Sequence, residues 1–201
     1  MKPLHAIYKD GFFRKRHLLH WRAPIFCQAV IDIIKPESVI DIGCATGDLV
    51  SQFRQMGLVS DGLEGSDHAL NHSVIEDILH WDLRCDLRNC TLSTTALLPI
   101  PYDLCLCLEV AEHIEPEYTK IFLGNLIYFS SNILLSIAGP GQKGLHHVNL
   151  QEMTYWDDLF DELGYTRKQS VADQIKKEIS AWRSKPGIKA FWHNLVYYER
   201  R

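Results

Sequence analysis

Three short stretches of this sequence combine residue types that could do chemistry. The first is Asp41-Ile42-Gly43-Cys44-Ala45-Thr46-Gly47, which opens straight out of the apolar run Ser38-Val39-Ile40. Glycines at 43 and 47 let backbone approach a ligand closely, and a helix starting there offers unpaired N–H groups. An acid follows at Glu64, 23 positions after Asp41, where a strand end could present it to both hydroxyls of an adenosine ribose. The second stretch is Glu109-Val110-Ala111-Glu112-His113. If it turns helically, Glu109, Glu112 and His113 share one side, and two carboxylates so crowded call for a cation. The third is Gly144-Leu145-His146-His147-Val148-Asn149, whose imidazoles titrate near neutrality and suit a general base or a metal ligand.

The segments between these stretches alternate in period. Residues 18–34 read as an amphipathic helix with Pro24 in its first turns, stopped by Lys35-Pro36. The β-branched run at 38–42 reads as a buried strand, 48–56 as a helix and 59–63 as a second strand that ends at Glu64. A third strand is expected at 75–82 or slightly later, a fourth over 102–110, a helix over 116–130 and a fifth strand over 132–138. A helix over 150–163 and a terminal strand over 188–199 complete the chain. Strands alternating with helices give an α/β fold, a mainly parallel sheet with helices on both faces and ligands at the carboxyl ends of its strands. Residues 18–201 form one domain, and residues 1–17 an N-terminal arm. The basic and aromatic run from Lys9 to His17 makes that arm either a solvated lead-in or a lid that meets an anionic substrate.

The loop at 41–47 resembles motif I of class I S-adenosylmethionine-dependent methyltransferases, with Ala45 where glycine is commoner. A nicotinamide site would show Gly-x-Gly-x-x-Gly and make room for a diphosphate. S-adenosylmethionine needs no such room, and a carboxylate near the loop can meet its ammonium. The resemblance implies a Rossmann-like fold in which Asp41, Gly43, Cys44, Ala45, Gly47, Glu64 and Glu109 line the cofactor, with Asp82 beside the adenine. The Glu-Val-Ala-Glu-His segment resembles the matching motif of many small class I methyltransferases. The 140–149 loop, with its His-Val-Asn, resembles that of a subset encoded near sugar-modifying genes, and 190–196 resembles the closing segment of the same subset. In that fold strands four and five are neighbours, so Glu109, Glu112, His113 and His147 (or His146) would complete a ligand set for Mg²⁺ or Mn²⁺. Metal-dependent small-RNA 3′-end methyltransferases carry a similar Glu-x-x-Glu-His with a distal histidine, and quinone-biosynthetic O-methyltransferases a comparable segment. Without a metal, His147, or else His113, would act as general base; the cluster could also be purely structural.

Bulk properties narrow the choices. At 201 residues with 46% hydrophobic content, the chain suits one domain with a real core. No apolar stretch approaches the roughly 20 residues of a membrane span, and the N-terminus lacks a signal-peptide pattern, so a cytoplasmic protein is expected. Six cysteines in mostly apolar settings read as buried free thiols. Cys85 and Cys90 have no second pair with which to hold zinc. A net charge of −4 counts against a nucleic acid partner. The aromatics Tyr155, Trp156, Trp182 and Trp192 read as core or as an acceptor pocket. The expected activity is methyl transfer to a hydroxyl or similar oxygen of a small polar acceptor, sugar-like or phosphate-like. The alternatives are an RNA 3′-end 2′-O-methyltransferase and a non-catalytic S-adenosylmethionine-binding subunit. The 41–47 loop and the lack of a Tyr-x-x-x-Lys pair argue against an oxidoreductase.

Overall fold

The computed structural model describes residues 7–89 and 101–201; Cys90 and the first six residues of the arm lie outside them. A single helical turn, α1 (Asp10–Phe13), and a 3-10 turn (Arg16–Leu19) lead into α2 (Arg22–Ile34). Lys35 ends α2 in the left-handed region at φ 56° while donating its amide to the Ile31 carbonyl, and Pro36 cannot continue the helix. Then follow β1 (Ser38–Ile42), α3 (Asp48–Gln55), β2 (Val59–Glu64), α4 (Asp67–Leu70), β3 (Leu79–His80) and β4 (Leu104–Leu108). The second half adds α5 (Thr119–Phe129), β5 (Asn132–Ser136), α6 (Met153–Glu162), β6 (Tyr165–Arg167), α7 (Gln169–Glu178), α8 (Ile188–Trp192) and β7 (Leu195–Arg200).

The strands form one sheet in the order β3-β2-β1-β4-β5-β7-β6. All neighbours are parallel except β7, which runs antiparallel to both β5 and β6. Side chains leave each strand alternately, and the two faces sort the core accordingly. Ile40, Cys105, Cys107, Ile133, Leu135 and Val196 pack with α5 and α6 on one face. Val39, Leu104, Leu106, Leu134 and Leu195 pack with α2, α3, α7 and α8 on the other. The expected mainly parallel sheet covered on both faces is thus present, and strand order reverses at β1, between β2 and β4. That crevice is where an α/β sheet holds ligands.

Two expected elements are corrected. The third strand shrinks from 75–82 to two residues, Leu79 and His80, paired with Leu63 and Glu64; as the sheet's edge it has only one partner. The terminal strand does not begin at 188: Ile188–Trp192 is a helical turn started by Gly187 at φ 87°, and the strand begins at Leu195. The 18–34 helix also begins four residues late, at Arg22, while β6 and α7 carry no expectation from the sequence. The five described cysteines are free, and all but Cys85 are buried.

The segment after β3 has little regular structure of its own and hangs on Asn125 of α5, which is 1% exposed. Asn125 donates to the Leu83 and Cys85 carbonyls at 3.1 and 3.0 Å and accepts from the Leu87 amide at 2.9 Å. Asn125→Ala strands the Leu83 carbonyl and the Leu87 amide, the Cys85 carbonyl keeping the Trp81 indole N–H at 3.0 Å, and we expect a loss of about 2–4 kcal/mol in urea unfolding. A loss under about 0.5 kcal/mol would mean that the segment holds itself.

Candidate functional site

The glycine loop is hooked onto β2 before it enters α3. Gly43 and Cys44 both donate their amides to the Leu63 carbonyl, at 2.8 and 3.0 Å. Gly43 sits at φ 76° with Val110 against its Cα, so a side chain there would be strained and would strike that valine. Ala45 also takes a left-handed conformation, φ 52°, costing roughly 1 kcal/mol where glycine would cost none. Its amide compensates by donating to Glu64 Oε2 at 2.9 Å, while Ser66 donates to Oε1 at 2.8 Å. Burial pushes the Glu64 carboxyl up, and the amides of Ser66, Ala45 and Gly65 oppose it. Each oxygen accepts one amide and keeps a lone pair for a ligand hydroxyl.

This loop floors a pocket of about 360 Å³. Of the residues expected to line a cofactor, Asp41, Gly43, Cys44, Ala45, Glu64, Asp82 and Glu109 all border it. Gly47, at φ 79°, instead packs under Ile75 and Ile78 and starts α3. Asp82 is held by Arg84, whose Nη2 lies 2.7 Å from Oδ2 and whose Nε lies 2.9 Å from Oδ1. Burial raises the Asp82 carboxyl, but the Arg84 pairing outweighs it and keeps the group low. None of Tyr155, Trp156, Trp182 and Trp192 reaches the pocket. Trp156 is fully buried, and the other three pack against the core, so the acceptor-pocket reading of these aromatics fails and the core reading stands.

Beyond β4 the expected common helical face does not form. Glu109 is left-handed at φ 58°, and only Ala111–His113 makes a helical turn, so Glu109 parts from Glu112 and His113. Glu109 Oε1 accepts from the Ser136 hydroxyl at 2.8 Å, and its own amide donates back to that oxygen at 2.8 Å. The structure instead gathers Glu112, His113 and His147, with one ligand atom from each within 4.8 Å of the others. Three of the four expected metal ligands therefore meet, and Glu109 stands apart. Both imidazoles are oriented by backbone: His113 Nδ1 lies 3.1 Å from the His146 carbonyl, and His147 Nδ1 lies 2.9 Å from that of Gln142. Nδ1–H donating to carbonyls leaves both Nε2 lone pairs free, the arrangement seen behind metal-ligating histidines.

Glu112 is fully buried, and neither carboxylate oxygen has a hydrogen-bond partner of good geometry. Burial chiefly, and Glu109 next, push its carboxyl up to about 8. Burial likewise pushes His113 down to about 4. A buried carboxylate with only the Glu112 and Ala138 amides to oppose its burial is expensive, so a cation fits here. The two adjacent histidines divide their roles. His146, left-handed at φ 56°, supplies a carbonyl, and His147 supplies a ring, 4.8 Å from that of His113. Behind them Asn149 is buried and bonds Thr119 Oγ1 at 3.0 Å. The Val148 and Asn149 amides both donate to the Glu112 carbonyl. A reciprocal pair of amide bonds between Gln142 and Asn194 (2.9 and 2.8 Å) secures the loop from the far side.

The sequence offered a roof only as one of two readings of the arm. Tyr8 is mostly buried, with its ring 5.7 Å from that of His113, and Phe13 packs on Ala45 and Ala69. Arg16 and Arg22 enter the same pocket. The arm's basic and aromatic composition was the only signal, and it covers the site from residue 7 onward.

No protein-family model and no curated protein sequence matches the chain. Solved structures of similar fold include DesVI of Streptomyces venezuelae, with TM-score 0.64 and 13% identity over 96% of this chain and 99% of that one. The O-methyltransferase of a trans-AT PKS multienzyme of Brevibacillus brevis, in complex with S-adenosyl-L-homocysteine, aligns with TM-score 0.56 and 15% identity over 98% and 78%. The methyltransferase domain of bacterial CtHen1-CN aligns with TM-score 0.54 and 18% identity over 74% and 88%. The fold is therefore the Rossmann-like one of the class I methyltransferases.

Two outcomes test this geometry. Asp41 is 3% exposed; burial raises its carboxyl to about 7, against the pull of Arg22 and Arg16. The folded value lies above the unfolded one, so ionisation costs no stability below about pH 4 and its full penalty above about pH 7. Ligand-free Asp41→Asn should match wild type near pH 4 and exceed it near pH 8 by up to about 4 kcal/mol; a gap that ignores pH sinks the assignment. At Gly144 an added Cβ would land inside the His147 imidazole. Gly144→Ala should leave the melting temperature within a few degrees yet weaken any function of that ring about tenfold or more. Unchanged function in this variant would remove His147 from the site.

Proposed function

We propose that this protein is an S-adenosylmethionine-dependent methyltransferase acting on a hydroxyl or similar oxygen of a small polar acceptor, sugar-like or phosphate-bearing, with a divalent metal such as Mg²⁺ or Mn²⁺. One observation carries the reading. A glycine loop with a ribose-ready acid and two oriented imidazoles open into a single pocket, with the buried Glu112 carboxyl within 4.8 Å of those imidazoles. The S-adenosyl-L-homocysteine bound by the Brevibacillus brevis neighbour supports the cofactor.

When bound, S-adenosylmethionine supplies a methyl group activated by a sulfonium. The chain's part is alignment: Glu64 receives the ribose hydroxyls, Gly43 allows the close approach, and Asp41 faces the aminoacyl end. Glu112, His113 and His147 would hold the cation, whose chemistry there would be to make an acceptor hydroxyl more acidic. Tyr8 and Phe13 close the roof and exclude water. Where no metal binds, the free Nε2 of His147 takes the hydroxyl proton instead, since its Nδ1 is already committed to Gln142. No helix among the described residues is long and apolar enough to cross a membrane. Free buried thiols suit the reducing cytoplasm.

Calorimetric titration should give micromolar binding of S-adenosylhomocysteine and none of NADH. Saturating Mn²⁺ should stabilise wild type by about 2–3 kcal/mol and leave Glu112→Gln unmoved. Turnover that survives thorough chelation but falls about 10²-fold or more in His147→Ala selects the metal-free base. Silence with S-adenosylhomocysteine on folded, ligand-free protein discards the reading altogether.

A further inference from the structure

Basic residues are unevenly spread over this acidic chain. Residues 8–22 hold five arginines and lysines against one acid, and residues 180–193 hold three against none, in a protein of net charge −4. The two segments lie side by side in the fold. The Gly187 carbonyl accepts from Arg22 Nη1 at 3.2 Å, and a Cβ added at Gly187 would stand 3.2 Å from Leu19 Cδ2. Lys185 and Lys189 flank that contact on one side, and Lys15, Leu18 and Trp21 on the other, all five exposed. Among the described residues none of these three lysines is in an ion pair. The acids at hand are engaged elsewhere: Asp10 pairs with His72 and Asp48 with His20.

The same surface is apolar as well as basic. Leu18 is 63% exposed, Phe12 44% and Trp21 37%. Three large apolar side chains left in water within one short segment carry a cost that a partner can remove. Cations alone suit any polyanion. Leucine, however, offers no ring face on which a nucleic acid base could stack. Leucine, tryptophan and phenylalanine set among lysines and arginines is instead the composition of segments that lie in a lipid–water interface. The rest of the chain is acidic and is repelled by an anionic surface, which leaves this face to approach first. Phe12 also lines the pocket, as does the exposed Ala190 next to Lys189, so the surface runs up to the pocket mouth.

We infer that this face docks the protein on a membrane surface rich in anionic lipid, with Lys15, Lys185 and Lys189 against the headgroups and Leu18 and Trp21 entering between them. Docking of this kind is independent of the methyltransferase reading. It turns the pocket mouth toward the headgroups. It also sets the arm between two surfaces, since Leu18 meets lipid while Phe13 packs on Ala45 and Ala69 over the glycine loop.

Co-sedimentation of the full chain with lipid vesicles is the test. Wild type should pellet with phosphatidylcholine vesicles that contain phosphatidylglycerol, stay in solution with phosphatidylcholine alone, and be released by added salt. Lys185→Glu combined with Lys189→Glu should weaken vesicle binding about 20-fold or more, and Leu18→Ser about tenfold. None of these three residues lines the pocket, and all are exposed, so the variants should keep the wild-type melting temperature. Should the double charge reversal fail to fold, Lys189→Gln carries the same comparison with a loss of about fivefold. Wild type left in solution by the anionic vesicles overturns the docking, as does equal binding to the two lipid compositions. A salt-sensitive shift of single-stranded RNA that displaces the vesicles and ignores Leu18→Ser gives the face to nucleic acid and overturns it too. A dimer in gel filtration that Leu18→Ser splits, without vesicle binding, gives the face to a second copy with the same result.

Discussion

The molecule is organised around carboxylates taken out of water at the carboxyl edge of a parallel sheet. Asp41, Glu64, Glu109 and Glu112 are all raised in pKa, and burial is the largest cause for each. They differ in what offsets the burial. Glu64 has two loop amides, Glu109 has the Ser136 hydroxyl, and Asp41 has two arginines at a distance. Glu112 has no partner of good geometry. Compensation falls away as one moves from the floor of the pocket toward its histidine side. The least compensated of them, Glu112, stands beside His113 and His147, and desolvation that the protein leaves uncorrected is available to a positively charged partner.

Backbone strain follows the same edge. Of four non-glycine residues at positive φ among the described residues, Ala45, Glu109 and His146 border the pocket. Each lies just after a strand or inside the loop that follows β5, where the chain must reverse within a few residues. Such conformations cost of order 1–3 kcal/mol each and persist only where surrounding bonds hold them. Here the holding bonds are Ala45 to Glu64, Glu109 to Ser136, and the His146 carbonyl to His113. Strain and charge are thus held by one network, and loosening either disturbs both.

This explains what the sequence disclosed and what it withheld. Buried parallel strands show as apolar runs, so β1, β4 and β5 were legible, as were the glycines and the acid at Glu64, which rest on local turn chemistry. An edge strand of two residues has no pattern to show, and His80 and Trp81 hid β3. The Ile188–Trp192 run is apolar and aromatic and reads as a strand, but Gly187 at positive φ turns it helical. Arg22 was invisible as a site residue because a basic residue in an amphipathic helix reads as solvated. Only the tertiary approach of Gly187 and Phe191 buries it. Glu109 was misplaced for the opposite reason: helical spacing was assumed where one left-handed residue breaks it.

The histidine pair shows how far local reasoning reaches. His146 and His147 are chemically identical neighbours, and no argument from composition or spacing separates them. The left-handed turn at His146 aims its carbonyl at His113 and the following ring at the cluster. That turn is held from three remote places: Glu112 through the Val148 and Asn149 amides, Thr119 through the Asn149 side chain, and Asn194 through Gln142. Asn149 therefore belongs beside the histidines because its buried hydrogen bond to Thr119 anchors the loop. Residue types in this sequence propose a site, but long-range hydrogen bonds set which of two equivalent side chains turns its ring toward Glu112 and His113.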